Sequence, residues 1–338
     1  MSAIEEVGSQ APAVEAVPKR AMTLSSGTAF VVVLLLLVVP LFVKNFIIFQ
    51  MTMLLIYGLA VLALNILTGG SGQFSLGKSA FYAVGAYTSA ILMEQYNINY
   101  ALTLPVAGVV CFGFGFLFGQ PALRLSGVYL ALATFALATA MPQILKLGFF
   151  EHWTGGVQGL VVTKPDAPFG LPMSQDMWLY YFTLAITIAI YIFSVNLLRS
   201  RSGRAFMAIR DNEIAASAMG IDVATYKTLA FGVSAGITGV AGGLGAIAVQ
   251  FVAPDSYTIV LAISLFLGMV VGGVGWLPGS FIGAAFIIFV PNIAEGISKG
   301  LSGAVFGVLL FLIIFLVPHG ARQVAMVAQQ LLSKVRKT

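Results

Sequence analysis

The chain has 338 residues, 59% of them hydrophobic and only 9% charged, with a mean hydropathy of +0.99; an average soluble domain carries about 25% charged residues, so a water-soluble fold is excluded. A net charge of +5 would suggest nucleic acid in a soluble protein, but in a membrane protein the charges are first sorted by side, and no nucleic-acid partner follows from them. Cys111 stands alone, which excludes a disulfide framework and a cysteine-based metal site.

Met1 to Arg20 mixes Glu5, Glu6, Glu15, Pro12 and Pro18 with small residues and ends in Lys19-Arg20; residues 1–20 read as a disordered cytoplasmic tail. The apolar run from Gly27 to Val43 has no small-residue cleavage site after it, and more spans follow, so it reads as a retained anchor rather than a signal peptide. With a helix of about 20 apolar residues as the ruler, spans fall near 27–43, 47–67, 74–93, 101–119, 125–147, 177–198, 228–251, 258–274, 279–293 and 302–318. The expected fold is all-α, a polytopic transmembrane helical bundle of about ten spans in one domain, residues 21–320, followed by a basic cytoplasmic tail, 321–338. Gly69, Gly70, Gly72 and Gly77 make 68–80 a candidate re-entrant or broken helix.

Placing the amino terminus inside leaves only Lys44, Lys146, Lys164 and Lys299, of the 17 basic residues, on the outside, as the positive-inside rule requires. Glycines recur four apart at 232/236, 239/243, 268/272, 279/283 and 303/307, a spacing that lets helices approach closely, within the chain or against a partner. Gly69-Gly70-Ser71-Gly72 is echoed by Gly272-Gly273-Val274-Gly275, each at an inner turn, a faint sign of two related halves.

Gly72-Gln-Phe-Ser-Leu-Gly77-Lys78-Ser79 fits the phosphate-loop pattern letter for letter and is rejected on context. A phosphate loop follows a short buried strand and needs a second acidic residue for magnesium, whereas the run before it, Ile47 to Leu67, is long enough to span. Arg199 to Lys227 is the longest polar stretch between spans in the second half and holds Arg199, Arg201, Arg204, Arg210, Asp211, Glu213 and Asp222. Ser202 is a candidate cap for one helix there and Asp211 or Asn212 for a second through Glu213 to Met219, which Gly220 would end, with Asp222 capping the next span. A short alanine-rich helix held by basic anchors is shaped for a groove on a cytoplasmic partner; a solvated charged loop is the plainer reading.

Glu213-x-Ala215-Ala216-x-x-x-Gly220 resembles the coupling loop of ABC importer permeases, and the longer string from Ser202, Gly203 and Arg204 through Arg210 to Asp222 looks like that of the branched-chain amino-acid permeases. Leu64-Asn65 through Gly69-Gly70-Ser-Gly72-Gln73-Phe-Ser75-Leu-Gly77, and Trp153-Thr154-Gly155-Gly156-Val-Gln-Gly159, are similar to the M-type permeases of that family rather than the H-type. One departure is Lys78, where the family commonly has His; the extra charge near the inner end of a span bears on gating or solute choice, or simply snorkels to the interface.

The resemblance implies an ABC-importer-type permease subunit in a bacterial inner membrane with both termini cytoplasmic, paired with an H-type permease subunit. Two cytoplasmic ATPase subunits would bind ATP and magnesium, so this chain needs no cofactor or metal of its own. A periplasmic substrate-binding protein would deliver the solute, with Trp153, Thr154, Gly155, Gly156 and Gly159 as contact candidates. The coupling loop would use Ser202, Gly203, Arg204, Arg210, Glu213, Ala215, Ala216 and Gly220. Apart from Lys78 no ionisable residue falls near the midplane, which disfavours an ion-coupled carrier, and the only histidines, His152 and His319, lie outside the spans, which disfavours an intramembrane enzyme. Neutral groups remain as solute-path candidates: Asn65, Thr68, Gln73 and Ser75, with Gly72 and Gly77 beside them, and Gln143 and Gln250 farther off. Leucine, isoleucine and valine are the family's usual solutes; urea, short amides and other amino acids are the alternatives, and an ATP-independent transporter or channel is the other class.

Overall fold

The computed structural model describes residues 26–122, 127–168, 173–297 and 307. The tails expected at 1–20 and 321–338, the span expected at 302–318 and the glycine pair 303/307 as a pair lie outside the described residues. The described helices are α1 (Ser26–Val38), α2 (Asn45–Asn65), α3 (Lys78–Glu94), α4 (Tyr100–Ala122), α5 (Val128–Leu145), α6 (Gly148–Thr154), α7 (Gln175–Arg199), α8 (Arg201–Asp211), α9 (Glu213–Ala218), α10 (Val223–Val249), α11 (Ile259–Gly272) and α12 (Gly279–Ile297). Two residues of β1 (Leu160–Val161) pair antiparallel with two of β2 (Phe251–Val252).

Six helical segments among the described residues are long and apolar enough to cross a membrane: Asn45–Gly70, Tyr100–Gln120, Val128–Leu145, Gln175–Arg199, Val223–Val249 and Pro254–Gly272. α1, with 13 residues, and α3, with 17, fall short of that ruler, as does the apolar stretch Gly279–Ile293. The outer faces carry Val109, Leu117, Val128, Tyr129 and Leu132, all exposed. So many large apolar side chains turned outward fit a lipid boundary and no aqueous one, and the protein is a multi-pass membrane protein.

α10 is the hub, packed along α4, α3 and α2. It is rich in glycine because it must be thin: a methyl at Gly239 would strike the Cβ of Cys111 at 2.5 Å, and one at Gly85 of α3 would run into the backbone of Gly239. The four-residue glycine rows at 232/236 and 239/243 thus serve packing within the chain, with Gly236 close on the Gly108 carbonyl and Gly243 close on Ser89. Gly268 and Gly272 of α11 likewise meet Gly283 and Gly279 of α12.

Prolines in the spans free carbonyls that something else must satisfy. Pro40 lies in a 3-10 turn after α1 and cannot donate to the Leu36 carbonyl; the Tyr180 hydroxyl of α7 does so at 2.9 Å, and Tyr181 donates to the Leu37 carbonyl at 3.0 Å.

α2 continues into a π-helical turn, Ile66–Gly70, and the chain then runs without helix from Gly72 to Gly77 before α3 begins. The expected interruption is therefore a break between two helices, with Gly72 at φ +74°, in the region that favours glycine.

Candidate functional site

α7 ends at Arg199, and Ser200 rather than Ser202 caps α8, its hydroxyl accepting from the Gly203 N–H at 3.4 Å. The cap falls two residues earlier than expected because α8 follows α7 with a single residue between them. α8 buries Gly203, Ala205, Phe206 and Ile209 and leaves Arg201 and Arg204 exposed. Asn212 caps α9, its Oδ1 accepting from the Ala215 N–H at 3.0 Å, and Gly220 at φ +80° closes it. Of α9 only Ala216 is buried; Ile214 just inside it and Met219 just after it are more than four-fifths exposed, at 84% and 83%. Asp222 then caps α10. The Thr225 hydroxyl, the Thr225 N–H and the Ala224 N–H bond its carboxylate, and they hold it below the usual carboxylate range.

Asn65, Thr68, Gln73 and Ser75 do come together around the helix break, and all four are buried. Each of them hydrogen-bonds the chain itself. Asn65 Oδ1 accepts from the Gly275 N–H at 2.6 Å, while Nδ2 donates to the Trp276 and Gly273 carbonyls at 3.0 and 3.3 Å and to Ser280 Oγ at 3.3 Å. The two similar glycine strings are thereby stitched to each other, and a methyl at Gly69 would lie 2.7 Å from Gly275 Cα. Thr68 donates to the Gln73 carbonyl at 3.0 Å, Ser75 Oγ accepts from the Gly77 N–H at 3.3 Å, and Gly77 packs on the Thr134 backbone. Gly72 is the exposed member of the group. Gln143 and Gln250 are exposed elsewhere.

Two connections tie the break to α8 and α9. Arg210 Nη1 donates to the Gly69 carbonyl at 2.8 Å, with Nε and Nη2 on Asp211 Oδ1 at 3.1 and 3.0 Å. Glu213 Oε1 pairs with Lys227 Nζ at 2.5 Å, and Gln73 Nε2 donates to the Lys227 carbonyl at 3.1 Å and to Ser71 Oγ at 2.9 Å. Lys227 entered the sequence reading only as one inward-facing charge. An acidic residue opening one helix and a lysine one turn into the next would have been the signal.

Lys78 does not snorkel. It is fully buried at the first position of α3, with Nζ donating to Ser234 Oγ at 2.5 Å, and Ser234 Oγ in turn donates to the Ala63 carbonyl. The rings of Phe81 and Phe231 lie 5.8 Å away. Because α3 begins deep among α2 and α10, the stem points into the bundle and has no route to the interface. A membrane-length helix, not a strand, leads into the segment before this lysine, and apolar helices surround it, so the phosphate-loop pattern has no structural basis among the described residues.

At the opposite end of the bundle, α6 closes on Gly155 at φ +70°, and the chain folds back to Gly159, whose neighbour Leu160 pairs with Val252 just past α10. Thr154 Oγ1 donates to the Leu145 and Phe150 carbonyls at 2.9 and 3.0 Å and accepts from the Gly156 N–H at 3.2 Å. Gln95 bonds the His152 and Trp153 carbonyls, and Lys146 pairs with Asp255 at 2.5 Å. Thr154, Gly155, Gly156 and Gly159 thus shape this loop, and Trp153 stands exposed upon it. No group of three or more His, Cys, Asp or Glu suited to a metal occurs among the described residues.

The chain is 35% identical over 247 residues to the high-affinity branched-chain amino acid transport system permease protein LivM of Salmonella typhimurium strain LT2, covering 66% of this chain and 58% of that one. It is 34% identical over 271 residues to the protein of the same name in Escherichia coli K12, covering 73% and 63%. The autoinducer 2 import system permease protein LsrC of Escherichia coli O157:H7 is 29% identical over 262 residues, covering 75% and 72%. The matches therefore span about three-fifths of the two LivM chains. No solved structure matches the chain. Residues 46–317 match the family described as branched-chain amino acid transport system / permease component, and with the apolar multi-pass bundle already in view, the chain belongs to that permease family.

Proposed function

We propose that the chain is the M-type permease subunit of an ATP-driven importer for leucine, isoleucine and valine, crossing a bacterial inner membrane about ten times with both termini in the cytoplasm. The single observation that carries this reading is the geometry of α9. A short capped helix displays Ile214 and Met219 to solvent while the residues around it, Arg210 and Glu213, reach back through Gly69 and through Lys227 and Gln73 to the break between α2 and α3. An exposed apolar pair beside an interior linkage is what a docking element that transmits force requires.

In this reading two ATPase subunits carry ATP and magnesium, grip α9 and draw it inward when they close. An H-type permease subunit completes the membrane unit, and a periplasmic binding protein docks on the loop around Trp153 to Gly159. Asn65, Thr68, Gln73 and Ser75 hold the break together so that it moves as one piece, a positioning role rather than contact with the solute. Purification of the detergent-solubilised chain from its native membrane tests the proposal. An ATPase pair should come with it and be lost on Glu213→Arg, whereas full solute uptake by the chain reconstituted alone would end the ABC reading.

A further inference from the structure

A cavity of about 510 Å³ opens between α2, α11 and α12, within the size range of small-molecule sites. Gln50 lies on its α2 wall, 19 residues and so about 28 Å from Gly69, where Arg210 attaches. The cavity therefore belongs to the face of the bundle opposite α9. That is also the face of the β1–β2 pair, since Ser256 and Thr258 on its rim follow β2 directly.

Six polar side chains line it, Gln50, Tyr57, Ser256, Thr258, Ser264 and Asn292, and Ser264 donates to the Val260 carbonyl of its own helix at 2.8 Å. None of the other five makes a side-chain hydrogen bond to another described residue, whereas Asn65, Thr68, Gln73 and Ser75 at the helix break each make one. A backbone acceptor joins them. Pro291 has no N–H to give the carbonyl of Ile287, four residues back, and both residues are on the cavity wall. At Pro40 a tyrosine hydroxyl repairs the equivalent loss. Ser256 and Asn292 are exposed, and Gln50, Tyr57 and Thr258 partly so, so their polar atoms face the cavity mouth and wall, where an occupant that hydrogen-bonds would meet them. No acidic or basic residue lines the cavity, and Lys164, whose Nζ lies 5.9 Å from the ring of the lining Phe49, is already paired with Asp176, so a ligand of net charge would meet no free counter-charge, while a zwitterion brings its own. Phe46, Phe49 and Met53 add an apolar wall. The floor is closed: the Tyr57 ring packs on Tyr82 at 6.3 Å and Tyr82 on Tyr257 at 5.8 Å, and below Tyr57 a methyl at Gly58 would run into the Phe281 ring.

We infer that this cavity is a solute site in the half of the membrane away from α9, built for a small zwitterion with an aliphatic side chain, and that it is seen here open to the β1–β2 face and shut toward the coupling face. The inference rests on the proposed importer function. Its amide and hydroxyl donors, on Gln50, Tyr57 and Thr258, suit a carboxylate, and the Ile287 carbonyl suits an ammonium group.

The test uses the complete importer in its membrane, with cysteine placed at Gln50 or Thr258 and a membrane-impermeant methanethiosulfonate added from outside; the native Cys111 is fully buried. Gln50→Cys and Thr258→Cys should label at least about tenfold faster than the lipid-facing control Leu132→Cys, and leucine delivered by the binding protein should slow that labelling. Gln50→Leu and Asn292→Leu should each lower leucine uptake by about threefold to tenfold, with the ATPases still co-purifying. Labelling no faster than the control would mean that lipid or another protein segment covers the cavity, and it would overturn the inference while leaving the importer reading intact. Undiminished uptake by both leucine variants, or protection by a neutral non-zwitterionic solute alone, would overturn it too. A cavity that labels and is protected by leucine in a chain that needs no ATPase would instead uphold the site and end the importer reading.

Discussion

A fully buried ammonium whose hydrogen-bond acceptor is one serine hydroxyl is costly for a membrane protein to keep. Lys78 has no carboxylate partner among the described residues, and it sits at a helix start, where the dipole also disfavours a positive charge. Lys78→Met should therefore unfold in detergent at the same or a higher temperature, with a gain of about 1 kcal/mol; a clear fall would show that the hydrogen bonds from Lys78 through Ser234 to the Ala63 carbonyl outweigh the cost of burying the charge. Asn65 is the opposite case. Asn65→Ala leaves the Gly275 N–H and two carbonyls without their partner in a buried place and should cost about 2–3 kcal/mol, measured by the same thermal scan. The polar character of both residues was plain in the sequence, but their roles were not. The Asn65 partners lie more than 200 positions away, a separation that no local pattern encodes.

Helix boundaries were far more legible than side-chain roles. Asn212, Gly220 and Asp222 act where capping chemistry puts them, because a cap depends on neighbours only two or three residues away. The break at 72–77 was legible from its glycines for the same local reason, while the interlock of Arg210 with Gly69 and of Lys227 with Glu213 and Gln73 needed the tertiary structure. That interlock makes its own prediction. In the assembled importer, Arg210→Ala and Lys227→Met should let ATP hydrolysis continue while leucine uptake falls, several-fold for each. The exchanged pair, Glu213→Lys with Lys227→Glu, should recover part of the uptake that either single change loses, giving a coupling energy in a double-mutant cycle of about 1 kcal/mol. Equal losses of hydrolysis and uptake would mean that these residues only support the fold.

Across the whole molecule, composition alone established a membrane helix bundle, and the glycine spacing pointed to close helix approach. It could not say whether the rows faced a partner or one another, since a four-residue glycine step looks the same either way. Gly239 shows the answer for α10: Gly239→Val would press on Cys111 and Ala107 and should cost about 3 kcal/mol, read as loss of folded, monodisperse protein in detergent. The proposed orientation is open to reporters fused at residue 156 and within the α8–α9 segment, which should report opposite sides of the membrane; the same side for both would require a different threading.

The β1–β2 pair has one more consequence. It fastens the Trp153–Gly159 loop to the end of α10, whose 27 residues make a strut of about 40 Å with Lys227 and its Glu213 partner at the far end. In the proposed importer, whatever grips that loop and whatever grips α9 then stand in series on one stiff rod. If either alters the other's affinity, linkage requires the same factor in return, so in the proposed importer arrival of a delivery protein at one face would be felt at the other before any solute has moved.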